Sequence, residues 1–223
     1  MQSILPYDEI KRRFDKPVIL EQLGMDSFAE VAKRDPNGLA SAAFTVWQRY
    51  QRTHPDLGIG AVRDYIRGHG GSFWEGVEAV VGEPVIRDLS YSRCTIDDPA
   101  LDEPLAAYLF VTRVYPNDLH IADMNFANPY MPIPLPRRRF KLQRYKGLAL
   151  LATVLARAEA YASQQGCDYL TLNAATDDLV PLFGKYGFVV EDGQATSLAM
   201  EKRIAPRSPE KPAAMAATKP SSA

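Results

Sequence analysis

Residues 142–162 read LQRYKGLALLATVLARAEAYA, a basic turn with one glycine running directly into a long apolar segment. The segment from Leu148 to Gln164 is predicted as a helix stopped by Gly166, and DYLTLNAA after it as a buried strand. The first turn of such a helix has unpaired N–H groups and the positive end of the helix dipole. Gly147 lets the backbone bend and approach a ligand, and Arg144 and Lys146 stand beside it. Arg137, Arg138, Arg139 and Lys141 lie just upstream. These features suit a diphosphate, with amides binding oxygens and bases neutralising charge. Neither GxxxxGK(S/T) nor GxGxxG is present, so the nucleotide P-loop and the dinucleotide fingerprint are both excluded. A lone glycine before a helix is also compatible with an ordinary turn.

The rest of the chain narrows the fold. Residues 1–75 read as mostly helical: SFAEVAKR, then NGLASAAFTVWQRYQRTH with Leu39, Ala43, Val46, Trp47 and Tyr50 near one face, then IGAVRDYIRGHGG closed by glycine. From about Glu78 the texture is β. EAVVGEPVIRDLSYSRC gives two strand-like pieces, PLAAYLFVTRVY a strongly apolar strand, and LHIADMNFA its antiparallel partner beyond a turn at 116–118. Four prolines in NPYMPIPLPRRR predict a surface loop. DDLVPLFGKY reads as a short helix with Asp178 as N-cap, and FVVE, DGQ and TSLAMEKRI as a hairpin. The proline-rich end, 205–223, has the composition of a disordered tail. The expected organisation is a helical extension (1–75) packed on an α+β core (76–204).

Charge and cysteines limit the function classes. There are 26 basic and 27 acidic residues, a net charge of −1, so the whole molecule has no general pull towards nucleic acid or anionic membrane. Two cysteines, Cys94 and Cys167, make neither a disulfide framework nor a thiolate metal site, and three scattered histidines supply no metal spacing. No stretch reaches the roughly 20 apolar residues of a membrane span. The amino terminus lacks the order of a secretory signal, and a cytoplasmic setting is the expectation.

The stretch 144–188 resembles the cofactor-binding half of the GCN5-related N-acetyltransferases. That family's pyrophosphate loop reads Gln/Arg-x-x-Gly-x-Gly/Ala, and Arg144, Gly147 and Ala149 fill the marked places. A segment close to LYEKxGF follows a long helix, a strand and a short helix; here it is LFGKYGF, with Leu182, Lys185, Gly187 and Phe188 matching. The resemblance covers 105–204 and not the amino-terminal third. It implies a twisted mixed sheet with acetyl-coenzyme A as cosubstrate and no metal. The pyrophosphate would lie on amides from Tyr145 through Lys146, Gly147 and Leu148 to Ala149, with Arg144 and Arg139 nearby. The pantetheine arm would lie between splayed strands, along Met124, Asn125 and Phe126 and near Thr176 and Phe183. An amine would attack the thioester directly, so the protein's tasks are alignment, carbonyl polarisation and proton removal. The acceptor is expected to be a small-molecule or peptide amine, with charged tRNA the one nucleic-acid option. Oligomers, homodimers included, are common in such proteins, and no stretch here shows an interface.

Departures from the pattern leave alternatives open. The usual tyrosine that protonates the thiolate is Phe183, and the usual asparagine seven residues earlier is Thr176. Tyr186 is the candidate substitute acid, with aromatic packing as its other reading. Simple alternation puts Leu119, Ile121 and Asp123 on one face, and His120, Ala122, Met124 and Phe126 on the other. Asp123 and His120 are the candidate bases. Glu75 and Glu78 are candidate acceptor contacts by position alone, and Cys94 a remote candidate nucleophile. A catalytically silent ligand-binding protein, or an RNA- or protein-binding module using the basic loop 137–146, are the competing functions.

Overall fold

Apolar runs in the middle of the chain form long paired strands, and the helices cover them from both sides. In the computed structural model, residues 1–191 and 198–205 are described. Their elements are α1 (Tyr7–Lys11), β1 (Val18–Gly24), α2 (Phe28–Arg34), α3 (Pro36–Thr53), α4 (Gly60–His69) and α5 (Phe73–Val81), then β2 (Ile86–Ile96), β3 (Leu105–Val114), β4 (Asp118–Pro132) and β5 (Tyr145–Gly147). After these come α6 (Leu151–Gln164), β6 (Tyr169–Asn173), α7 (Val180–Gly184), β7 (Val189–Val190) and β8 (Ala199–Arg203). The sheet order is β1-β2-β3-β4-β6-β8-β7, with β5 paired to the far half of β4. β4 and β6 run parallel, and the other neighbours are antiparallel. This is the mixed α+β architecture expected above.

Two apolar layers hold it together. On one face, Leu109, Val111, Leu119, Ile121, Leu170 and Leu172 pack with Val154, Leu155 and Ala158 of α6, Phe183 of α7 and Ile10 of α1. On the other, Leu89, Tyr91, Phe110 and Val114 pack with Leu39, Val46 and Trp47 of α3, Val62 of α4 and Val77 of α5. Asp35 starts α3 by accepting the Gly38 N–H at 2.8 Å, with Pro36 at the first helical position. Gly38 is where α3 comes closest to the sheet. A Cβ there would lie 2.5 Å from Cδ1 of Phe110, so a side chain would push α3 off β3.

A buried ion cluster fixes the other end of α3. Arg49 pairs with Asp118 at the start of β4 and with Glu201 of β8 at 2.7 Å, and its guanidinium lies 4.6 Å from the centre of the Tyr169 ring. Glu191 lies 3.5 Å from Arg49 and 2.7 Å from Arg52. Desolvation pushes the Asp118 carboxyl up to about 6 against the opposing pull of Arg49, and burial raises Glu191 in the same way.

Several sequence expectations are corrected. VILEQLG is strand β1, paired with β2 from Val18↔Ile96 to Gly24↔Ser90, so the amino-terminal segment contributes to the sheet as well as covering it. Residues 78–81 are helical, because SFWE forms a capping box from Ser72 to Glu75 and Gly82 closes α5 at φ 77°. β4 continues to Pro132; Pro129 falls in the irregularity between the Asn128↔Lys146 and Pro132↔Tyr145 pairs, and Pro132 ends the strand. Helix α6 starts three residues later than predicted. Thr176, rather than Asp178, stands at the N-cap, of a short 3-10 turn at Asp177–Leu179, and Pro181 enters the first turn of α7. The DGQ turn and nearly all of the tail lie outside the described residues.

Candidate functional site

The site forms where β4 and β6 part. They pair over Leu119↔Leu170, His120↔Thr171 and Ile121↔Leu172 only. β6 then ends at Asn173, while β4 stays bonded to β3 as far as Phe126. From Ala122 to Asn125, β4 therefore has a strand on one edge and none on the other. Leu148 N–H bonds to the Phe126 carbonyl at 3.1 Å, which pins the glycine-bearing turn to the end of this open edge.

The turn is the expected cradle, with its strain displaced. Ala149 has φ 55°, and no other described non-glycine residue has positive φ. Leu148 and Leu150 are buried on either side of it, and Ala149 is exposed. These anchors hold residues 148–150 out of the helix, which accounts for the late start of α6. Val154 N–H bonds to Leu150 O, so the amides of Leu151, Ala152 and Thr153 have no intrahelical acceptor. A left-handed residue before a helix N-terminus makes an amide-lined concavity suited to an anion. Gly147 is less constrained than expected, since a Cβ there would meet Phe126 O at an ordinary 3.6 Å.

The bases around the turn are partly neutralised. Arg144 pairs with Glu103 at 3.0 Å, and Tyr145 OH donates to the same carboxylate at 3.2 Å. Lys141 Nζ meets Asp177 at 2.5 Å and its N–H donates to Asp178 at 2.9 Å, which links the loop before the turn to the loop after β6. Arg139 lies over Phe140, and Lys146 is exposed.

A bulge in β4 reverses the predicted facing of its residues. Val111 pairs with Ile121 and Phe110 with Asp123, so Ala122 is the extra residue. One inserted residue flips every side chain beyond it. Met124 and Phe126 thus join Leu119 and Ile121 on the α6 face. Asp123 instead shares the α3 face with His120. Desolvation raises its carboxyl, Met124 N–H at 2.7 Å opposes this, and the charge of Asp35 adds to it. Asp35 is itself raised by burial, and it accepts the Tyr108 hydroxyl as well as Gly38 N–H. Among the described residues, neither carboxylate forms a salt bridge.

His120 is fully buried. Its Nδ1 lies 2.9 Å from Thr171 Oγ1 and its Nε2 lies 3.1 Å from Ser41 Oγ, while Asn173 Nδ2 donates to Ser41 at 2.7 Å. Burial pushes the ring down to about 3, so it stays neutral near pH 7. Tyr186 is partly buried against the α6-side core, and Phe183 meets Phe188 edge-on at 6.1 Å. Thr176 lies in the loop between β6 and α7. Glu75 and Glu78 are committed elsewhere: Glu75 caps α5, and Glu78 accepts Val85 N–H at 2.8 Å. Both line a separate open groove with Tyr65, His69 and Pro84. Cys94 is buried and pushed up to about 11, which holds it as an unreactive thiol. Sequence reasoning missed Asp35, Ser41, Tyr108 and Asn173. Asp-Pro before an apolar helix was the available sign of Asp35 as a cap; nothing local shows that α3 crosses β4.

A scan against family models and a search of curated proteins returned no match. Among solved structures, the chain is similar to a PaiA N-acetyltransferase from Thermoplasma acidophilum in complex with coenzyme A, at 14% identity over 84% of this chain and 99% of that one, TM-score 0.34. It is also similar to nourseothricin acetyltransferase, at 16% identity over 52% of this chain and 66% of that one, TM-score 0.32.

Proposed function

We propose that this chain is an acyl-coenzyme A-dependent N-acyltransferase that moves an acetyl group to a primary amine. The observation that carries the reading is the open edge of β4, Ala122 to Asn125, ending against the turn at Ala149. An extended pantetheine arm pairs with such an edge as a strand would, and its diphosphate suits the turn's amides. Acetyl-coenzyme A, when bound, supplies an activated thioester. The amine forms the new C–N bond as the C–S bond breaks, and the thiolate leaves. One proton must then leave the nitrogen.

The two faces divide this work. The turn and α6 lie on one side of the sheet. Asp123 and Asp35 lie on the other, without cationic partners among the described residues, and a protonated amine complements them. Asp123 is the accessible carboxylate of the pair, and its raised value makes it a better base than a free aspartate. Asp123→Asn should lower kcat/KM for n-butylamine by about 100-fold. It should also remove the acidic limb of the pH–rate profile and leave acetyl-coenzyme A affinity unchanged. A variant retaining that limb would show another base at work.

The cradle's charge gives a second expectation. Asp177 and Asp178 compete for Lys141, so replacing both by Asn should tighten acetyl-coenzyme A binding about two- to fivefold at low salt. Calorimetric titration checks this, and the gain should shrink as salt screens the charges.

A further inference from the structure

We propose that Ser41, on the amino-terminal helix α3, is a positioning residue for the acceptor amine, acting through Asn173. The inference rests on the acyltransferase reading above. Asn173 is the last residue of β6, where the strands part, and it is half-buried. It lies two residues beyond Thr171, hence on the face of His120 and α3 rather than that of the turn. Its Nδ2 is committed to Ser41, and the carbonyl oxygen of its amide has no partner among the described residues. That oxygen can only accept, so it suits an N–H donor arriving from the α3 side, where Asp123 and Asp35 also lie.

Ser41 determines which way the amide points. Thr171 Oγ1 donates to Leu119 O at 3.5 Å, so it receives Nδ1–H of His120. Nε2 is then an acceptor and takes the Ser41 hydroxyl proton, and Ser41 Oγ in turn accepts from Asn173. The chain runs in one direction: Asn173, Ser41, His120, Thr171, Leu119. It leaves the ring neutral and fixes the amide's nitrogen on Ser41, which leaves its oxygen as the acceptor. His120, a candidate base by sequence, is here an anchor. The side chains of Ser41, His120 and Thr171 lie on the α3 face of the sheet, opposite the turn and α6, so loss of this chain should spare the coenzyme.

The test compares the parent with Ser41→Ala, Ser41→Thr, Asn173→Ala and the Ser41→Ala/Asn173→Ala pair. Acetyl-coenzyme A affinity is read by calorimetry, thiol release with n-butylamine by steady-state kinetics, and the Asn173 side-chain amide and His120 tautomer by nitrogen NMR. Ser41→Ala is expected to cut kcat/KM for n-butylamine about tenfold, with acetyl-coenzyme A affinity held within about twofold. Ser41→Thr should restore turnover, and the pair should lose no more than either single change. Equal loss of coenzyme affinity, additive losses, or failure of Ser41→Thr to rescue would reduce Ser41 to packing and overturn the proposal. If the parent binds acetyl-coenzyme A but does not acylate n-butylamine, the Asn173 amide resonances should still shift on adding n-butylammonium, and silence there overturns it too. A parent that binds no acetyl-coenzyme A, with the His120 tautomer and Asn173 amide as described, would instead sink the acyltransferase reading.

Discussion

Arg49→Met should lower the melting temperature by about 10 °C. Breaking a buried ion pair by removing one partner costs about 3–5 kcal/mol, and a chain of this size loses about 2–4 °C per kcal/mol. Asp118, fully buried, would lose its cationic partner, and Glu191 would keep only Arg52. The pH dependence has a definite sign. The folded values of both acids lie above their ordinary ones, so the native state holds protons that the unfolded chain releases. For Asp118, this contribution to stability is present below its unfolded pKa and falls as pH rises from about 4 to about 6. Without Arg49 both values rise further, and the penalty extends to higher pH. The variant's deficit should therefore be larger at pH 8 than at pH 5, as thermal melts at the two values would show. An equal deficit at both would mean that the loss is the contact of the Arg49 guanidinium with the Tyr169 ring rather than unpaired charge.

Ala149→Val should weaken acetyl-coenzyme A binding by about tenfold or more, whereas Ala149→Gly should match or exceed the parent. At φ 55° an alanine is already strained, and a β-branched side chain adds about 1–3 kcal/mol. The variant relieves that strain by turning the 148–150 segment, which swings its amides away from the anion. Glycine adopts the same conformation freely. Because Ala149 is exposed, neither side chain enters the core; the glycine variant should melt with the parent, and the valine variant should fall by about 2–12 °C, the equivalent of its strain at about 2–4 °C per kcal/mol. Unchanged affinity in the valine variant would show that the turn's geometry is not what binds the coenzyme.

The parts of the fold that sequence reading found were those with a strong local signal. The α6–β6 pair shows in the sharp shift from a 3.6-residue to a continuous apolar pattern, and β3–β4 in two apolar runs about a turn. What it missed needed information from across the fold. β1 is an edge strand with exposed Ile19 and Gln22, three residues apart, and hence weak alternation. A bulge is set by strand pairing, so alternation through Ala122 gave the wrong face for Asp123. The turn was found from Arg144, Gly147 and Ala149, yet the strained residue is the alanine, because buried Leu148 and Leu150 dictate its conformation. Ser41 and Asn173 lie 132 residues apart, and only the path of α3 over the parting strands brings them together. The capping box SFWE was legible, and the proline and glycine after it concealed a helix.

The most direct experiment follows backbone amide resonances as acetyl-coenzyme A is titrated into the nitrogen-labelled protein. Amides of Ala122 to Asn125 and of Ala149 to Thr153 should shift together and saturate with one affinity, while those lining the groove of Tyr65, Glu75 and Glu78 stay still. Shifts confined to that groove, or no shifts at all, would overturn the assignment of the parted strands as the acyl-coenzyme A site.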